Sequence, residues 1–377
     1  MNYGNEKMSI TEIRNQDIIF FSTCDWDGLW YQKQHLAHQF ALHGFNVYYF
    51  NRTLQRWPTI NHLATRLSVR KSGIKSIEIP KNIKVITPFA GPPLKKLRFL
   101  NRRLLKRSIA NYSFKKSIFI CYNPTYNALD LIDIIKPARI AYVNDHNYDA
   151  MNVIPALLES EKQLINRSDI LFADSQFNRD RLSKLSKGKT VYPSLPGVFQ
   201  DVFCSAYRGN ETIRCENLYY FGLVEDYLDI NLYNELSAKF NVTFIGSVAS
   251  STKTRLSEKI RIHPPVSNEE LPALLQEADM LGLFYLDSPY IRGVLPAKFF
   301  ESIATRKPLL VSGLREADPY LDIVYDVKGS PEIAMKIISR LGSTECEGKL
   351  LKKAKISKEA DWSNRFTDFL NFLNDIQ

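Results

Sequence analysis

Short apolar runs recur along this chain with helical patterns between them, and that alternation admits few folds. The first series of strand-like runs covers 18–23, 47–51, 83–87, 118–122, 140–144, 170–174 and 190–192. Patterns of helical period fill the gaps, as at 31–43, 155–166 and 177–184. Around Pro193-Ser194-Leu195-Pro196-Gly197 the rhythm breaks, and a polar segment with Asn210 and Glu211 follows. A second series then begins, with runs at 218–221, 242–245, 260–263, 280–285, 309–312 and 323–325. Strands alternating with helices imply parallel sheets covered by helices. The expectation is therefore an α/β protein of two domains, 1–195 and 196–377. Two such open domains facing one another would make a central cleft at the carboxyl ends of their strands, where sheets of this kind bind ligands. Trp362, Phe366, Phe369, Leu370, Leu373 and Ile376 fall at helical spacing and predict a closing helix, about 361–377, that packs back on the first domain.

Length agrees with this division: 377 residues exceed one ordinary core, on a prior of roughly 100–200 residues per domain. The hydrophobic share of 45% with 24% charged is that of a globular chain. Five cysteines (Cys24, Cys121, Cys204, Cys215 and Cys346) form no Cys-x-x-Cys pair, which argues for reduced thiols in a cytosol rather than a disulfide framework or a zinc site. The polar start, Met1 to Gln16, does not read as a secretory signal. No apolar run approaches the roughly 18 residues a membrane span needs, so a cytoplasmic protein, soluble or peripherally attached, is expected.

The net charge of +10 is concentrated. Between Arg66 and Lys116 stand fifteen Lys or Arg against the single acid Glu78, which leaves the rest of the chain slightly acidic. Within that stretch, apolar residues at helical spacing alternate with Lys95, Lys96, Arg98, Arg102, Arg103, Lys106 and Arg107. Such a composition suits an interfacial helix on an anionic membrane, where each basic residue near the surface contributes about 1 kcal/mol. It also suits a core-packed helix with a solvated basic face. Nucleic acid is the other class of partner for such a patch, but no recognised nucleic-acid module accompanies it and none is expected as a partner.

The strand ends hold the candidate chemistry. The first strand leads into Ser22-Thr23-Cys24-Asp25-Trp26-Asp27-Gly28, where Gly28 ahead of a helix would let backbone N–H groups approach an anion. Asp25 and Asp27 also suit helix caps, and Trp26 and Trp30 suit packing. The fifth strand ends at Asn144-Asp145-His146-Asn147-Tyr148-Asp149, which places Asp145 and His146 as candidates for general-base work or, more plainly, in a turn. In the second domain, Gly222 sits at a sharp strand exit, and Arg261 and His263 end another strand.

The segment Leu295-Pro296-Ala297-Lys298-Phe299-Phe300-Glu301-Ser302-Ile303-Ala304 then reads as a helix opened by proline. Phe299, Phe300, Ile303 and Ala304 share the face that packs, while Lys298 and Glu301, three apart, share the other. An ammonium and a helix start suit a diphosphate, a carboxylate suits a ribose diol, and Arg292 adds a second cation. The alternative is a solvated Lys–Glu pair on an ordinary helix.

With these residues in view, nearly the whole chain resembles a GT-B glycosyltransferase that uses a nucleoside-diphosphate sugar. Pro296, Lys298 and Glu301, followed by Lys307-Pro308-Leu309-Leu310-Val311, resemble that family's Pro-x-Lys-x-x-Glu donor element and its Lys-Pro-apolar strand. Pro193 to Phe203, with Gly197-Val198, resembles the hinge with its Asn-Gly-Val-type turn, Asn166 to Ser175 the helix-to-strand passage, and His35-Leu36-Ala37 the His-Leu-Ala segment. The chain departs from the family's retaining members: Gly293 stands eight before Glu301, where those members often carry a second glutamate. It also carries Leu223-Val224-Glu225-Asp226 where an Arg and a Lys are usual. It looks closer to bacterial polysaccharide enzymes of the teichuronic-acid and xanthan glucuronosyltransferase kind.

The resemblance implies two Rossmann-like domains, acceptor on the first and donor on the second, and inversion by single displacement with Asp145 as the base. It places Gly222, Arg292, Pro296, Lys298 and Glu301 at the donor, and Asp27, Gly28 and His146 toward the acceptor or a phosphate. No Asp-x-Asp arrangement is placed for a divalent ion, so no metal and no cofactor beyond the sugar nucleotide, a UDP-sugar, is expected. The expected partners are that donor, a glycan or lipid-linked acceptor and the anionic cytoplasmic face of the inner membrane. Other readings of the same residues are a GT-B-type nucleotide-sugar epimerase, a two-lobed solute-binding protein and a basic nucleic-acid-binding or membrane-binding scaffold.

Overall fold

The computed structural model describes residues 15–28, 30–53, 79–151, 153–209 and 214–375. Arg66, Arg70, Lys71, Lys75, Glu78, Asn210, Glu211 and Ile376 of the sequence reading, and most of the polar start, lie outside that set. The chain divides into two compact units. Unit 1 runs to Ser194 and resumes at Phe366; unit 2 is Leu195–Arg365.

In unit 1 the order is β1 (Ile18–Phe21), α1 (Gln32–Leu42), β2 (Val47–Phe50), β3 (Ile83–Ile86), α2 (Arg98–Ser108), β4 (Ile118–Cys121), α3 (Tyr126–Ile135), β5 (Arg139–Asn144), α4 (Pro155–Arg167), β6 (Ile170–Ala173), α5 (Gln176–Leu185) and β7 (Val191–Pro193). Strands β1, β2, β4 and β6 are uninterrupted hydrophobic runs buried throughout, as a parallel sheet covered on both faces requires. The sheet order is β3-β2-β1-β4-β5-β6-β7, all parallel. The strand order therefore reverses between β1 and β4, the position where doubly wound sheets open a crevice. One face buries Leu36, Ala37 and Phe40 of α1 together with Phe366, Phe369 and Leu373 of the closing helix. The other buries Leu105, Leu129, Ile132, Leu164 and Leu182 from α2 to α5. Phe369 stacks on Phe172 at 4.2 Å between centroids, and truncating it to Ala should cost about 3–5 kcal/mol.

Unit 2 repeats the plan with β8 (Asn217–Phe221), α6 (Ile230–Leu236), β9 (Asn241–Ile245), β10 (Arg261–His263), β11 (Met280–Phe284), α7 (Ala297–Ala304), β12 (Leu309–Ser312), β13 (Tyr325–Asp326), α8 (Pro331–Ile338) and α9 (Glu347–Glu359). Its sheet, β10-β9-β8-β11-β12-β13, is again parallel, and its order reverses between β8 and β11. The last strand begins later than the 323–325 run: Ile323 and Val324 are buried, but pairing starts at Tyr325. The helix α10 (Trp362–Asn374) starts in unit 2 and continues into unit 1. Its Trp362 lies against Gly197, where an added Cβ would stand 2.6 Å from the indole, so the Pro-Gly break is sized for that ring.

Candidate active site

Each unit gathers charged residues at the carboxyl ends of its strands. In unit 1 the centre is Asp145, which directly follows β5. Its Oδ2 accepts from Lys33 Nζ at 2.6 Å and its Oδ1 lies 2.5 Å from His146 Nδ1. Lys33 reaches it from α1 and also donates to Thr23 Oγ1 at 2.6 Å, at the exit of β1. Lys33 projects from the buried side of α1 with Leu36, Ala37 and Phe40, and its ammonium lies 5.3 Å from the Tyr122 ring centroid.

Burial alone would push the Asp145 carboxyl up, but His146 and Lys33 outweigh it and hold the group well below the usual carboxylate range. Burial likewise opposes the charge on Lys33 and on His146, and Asp145 more than restores it, so both are raised. Asp174, at the exit of β6, is pushed up to about 7 by burial and by the Asp145 charge. Asn178 Nδ2 donates to Asp174 Oδ1 at 2.8 Å.

The turn carrying Asp145 and His146 is anchored from behind. Arg181 of α5 donates to both oxygens of Glu161 at 2.7 Å and, through Nε, to Asp149 at 2.7 Å. Tyr142 Oη donates to the same glutamate at 2.8 Å. Removing one member of such a buried ion pair costs about 3–5 kcal/mol, because a charge is left uncompensated.

The first-strand loop is built differently from the anion loop expected of it. The Gly28 N–H closes a turn onto Asp25 O at 3.2 Å and so is not presented to a ligand, and Asp27 is exposed. Trp26 is buried, edge-on to Trp30 and Tyr49 at 5.0 Å, as packing residues are.

In unit 2, Gly222 leaves β8 with φ +110°, a conformation that side chains rarely adopt. The room above it is taken by Lys298: a Cβ on Gly222 would stand 2.6 Å from Nζ. Lys298 is the second residue of α7, whose N-cap is Pro296. Its ammonium donates to Tyr220 Oη at 2.7 Å and sits 4.6 Å from the centroid of that ring, while Tyr220 donates on to Leu223 O at 2.8 Å. Burial lowers Lys298 to about 8 against the opposing charges of Glu301 and Glu225. It raises Glu301 to about 7, with Lys298 pulling the other way. The expected pair thus meets a tyrosine, a glycine and Glu225.

Arg292 is not part of this group as built. Its Nε donates to Asp287 at 3.0 Å, and Asp287 also takes Arg315 at 3.1 Å. His263 Nδ1 meets Pro264 O at 2.8 Å on the edge strand.

The basic helix divides into two sides. Lys95 pairs with Glu159 at 2.9 Å, Arg98 with the buried Asp130 at 2.7 Å and Arg102 with Asp133 at 3.2 Å, so these three bind α2 to α3 and α4. Lys96, Arg103, Lys106 and Arg107 are exposed, as are Phe99, at 85%, and Leu100. Positions 99, 100, 103 and 107 fall on one stripe of α2, and Lys96 lies in the short turn just before it.

Sequence reasoning did not single out Lys33, Asp174, Tyr220 or Glu225. A signal for Lys33 existed: it is the one charged residue in register with the apolar positions 36, 37 and 40.

No family model matches the chain, and no curated protein does. Solved structures do match, over nearly its full length. Sucrose-phosphate synthase from Thermosynechococcus elongatus superposes with a TM-score of 0.67 at 12% identity, over 94% of this chain and 97% of that one. HepE of Anabaena, solved in complex with UDP, gives 0.67 at 11% identity over 95% and 99%. A glycosyltransferase from Rickettsia africae gives 0.64 at 14% identity over 96% and 99%. These neighbours are GT-B glycosyltransferases, and the chain has their fold, two Rossmann-like α/β units each built on a parallel sheet.

Proposed function

We propose that this protein is a glycosyltransferase that moves a sugar from a UDP-sugar to a glycan or lipid-linked acceptor in cell-surface polysaccharide synthesis, with inversion and without a metal. The observation that carries the reading is the Lys298–Glu301 group beside Gly222, at the order reversal of the unit 2 sheet. An ammonium and the start of α7 there suit a diphosphate, and Glu301 suits a ribose diol. The UDP and UDP-glucose complexes of HepE, which has the same fold, support the choice of nucleotide.

Unit 1 would supply the proton acceptor. Asp145 is the base expected from sequence, yet both its oxygens already accept hydrogen bonds, which makes it a reluctant acceptor of a third proton donor. His146, bonded to it through Nδ1 and at 27% the more exposed of the two, leaves Nε2 for the acceptor hydroxyl. The two act as one unit: Asp145 fixes the tautomer and stabilises the imidazolium that forms. The acceptor oxygen then bonds to the anomeric carbon, its proton passes to Nε2, and the nucleoside diphosphate leaves with the electrons of the broken C–O bond. Lys298 meets the charge that develops on it.

The lipid-side partner is an anionic bilayer on the cytoplasmic face, met by the exposed stripe of α2. Phe99 and Leu100 supply apolar area and Lys96, Arg103 and Arg107 the charge. Among the described residues no helix is long and apolar enough to cross a membrane. Two assays test the proposal: a thermal-shift screen of nucleoside diphosphates, then transfer from the stabilising UDP-sugar to membrane extract. Stabilisation by UDP with sugar transfer is expected; indifference to every nucleotide would overturn it. Flotation with anionic vesicles should be lost in the double variant Arg103→Glu, Arg107→Glu and is overturned as a role for α2 if unchanged.

A further inference from the structure

A recess opens in unit 2 at the carboxyl ends of β11, β12 and β13, with a volume of about 420 Å³. Neither Gly222, Lys298 nor Glu301 lines it, so it lies apart from the proposed nucleotide elements. Its lining includes Ser312, the last residue of β12, which is 4% exposed. The Ser312 side chain makes no hydrogen bond within the described residues, and as part of the lining its hydroxyl is open to water or to a ligand that enters the recess.

Two further features meet it there. Gly329 has φ +65°, and a Cβ on it would stand 3.6 Å from Ser312 Oγ and 3.9 Å from Asp229 Oδ2. The two oxygens thus border the same small space, kept open by a residue without a side chain. Asp229 caps Leu232 N–H with Oδ1, at 3.1 Å, and Asp326 takes Lys328 N–H with Oδ1, at 2.8 Å, so each keeps its second oxygen for a ligand.

The charge balance selects the ligand class. Asp229, Asp287, Asp318 and Asp326 line the recess against Arg315 and Lys328, and Arg315 is already bonded to Asp287. A phosphate would meet more carboxylates than cations. A divalent ion lacks a site, since no group of three His, Cys, Asp or Glu side chains among the described residues could hold one. Leucines 286, 314 and 321 add an apolar wall. Carboxylate oxygens that accept from vicinal hydroxyls, a buried hydroxyl and an apolar wall for C–H groups together match a neutral sugar ring.

We infer that this recess binds a neutral saccharide, one or two pyranose rings of a glycan. The site goes beyond the proposed transfer reaction and does not depend on the donor assignment. The test is saturation-transfer NMR on the full chain. Its probes are glucose, galactose, mannose, N-acetylglucosamine, maltose, cellobiose and lactose, each measured with and without saturating UDP, with inorganic phosphate as the anionic probe.

At least one saccharide should bind, undisplaced by UDP or phosphate. Ser312→Val and Asp326→Asn should each weaken it by roughly three- to tenfold. Leu321→Trp, at a position 46% exposed and so tolerant of change, should block it. The thermal shift with UDP should be unaltered in all three variants. Absence of binding by any saccharide, displacement by UDP or phosphate, or indifference to all three substitutions would overturn the site. A chain that binds saccharide but no nucleotide would instead refute the donor reading alone.

Discussion

At the end of β5 in unit 1, Asp145 lies between the Lys33 ammonium and the His146 ring; at the end of β8 in unit 2, the Lys298 ammonium meets a tyrosine hydroxyl rather than a carboxylate. Both clusters are buried, and burial disfavours charge in each. In unit 1 the partners win: the carboxyl is held down, and Lys33 and His146 are both raised. In unit 2 burial wins: Lys298 falls to about 8 and Glu301 rises to about 7. One cluster arrives with its charges compensated. The other keeps its charges marginal and would be completed by an anion and a hydroxyl donor from outside, as a binding site for a nucleoside diphosphate is.

The contrast can be broken first in unit 1. His146→Ala or Asp145→Asn should lower the transfer rate by about 10²–10⁴ while leaving the UDP affinity within about twofold. Turnover retained by both His146→Ala and Asp145→Asn, measured by sugar transfer, would remove the pair as the base. Arg181→Met should destabilise unit 1 by about 3–5 kcal/mol, read by chemical denaturation, because Glu161 loses its bidentate partner. A smaller effect is expected in unit 2. Lys298→Ala should weaken UDP by about 1.5–3 kcal/mol, roughly ten- to a hundredfold by calorimetry, without touching the unit 1 pair.

Next comes the pH dependence. Glu301 must lose its proton to accept ribose hydroxyls, so UDP affinity should fall as pH drops below about 7. Lys298 must keep its proton, so affinity should also fall as pH rises above about 8. Each limb is at most tenfold per pH unit. Glu301→Gln should erase the acidic limb alone. The transfer rate should instead climb with pH, because the raised His146 becomes a base only above the ordinary imidazole value of 6.5.

Much of the fold was legible because parallel strands buried on both faces are written as uninterrupted apolar runs, such as Ile18–Phe21 and Leu309–Ser312. Their exits, and with them Asp145, Gly222 and Lys298, followed from the strand positions. What the sequence hides is who pairs with whom. Lys33 meets Asp145 across 112 positions, and Tyr220 meets Lys298 across 78, so no local pattern announces either bond. The partner of Arg292 was hidden for a similar reason: a cation near a helix start invites a phosphate, and the sequence does not show that Asp287, five residues back, pairs with it. Gly28 read as an anion loop because a glycine before a helix leaves room, whereas the turn onto Asp25 uses its N–H. The basic helix was read as one surface, and the acids that divide it, Asp130, Asp133 and Glu159, lie on other helices.

The marginal charge of the unit 2 cluster is tested most directly by titrating UDP calorimetrically into the full chain, in buffers of different ionisation enthalpy, at a pH above the Lys298 value of about 8. A diphosphate that settles on a partly neutral ammonium must draw a proton onto it. Uptake of a fraction of a proton by the native chain, and none by Lys298→Ala, is the expected result. Tight UDP binding with no proton uptake, or uptake that persists without Lys298, would contradict the account.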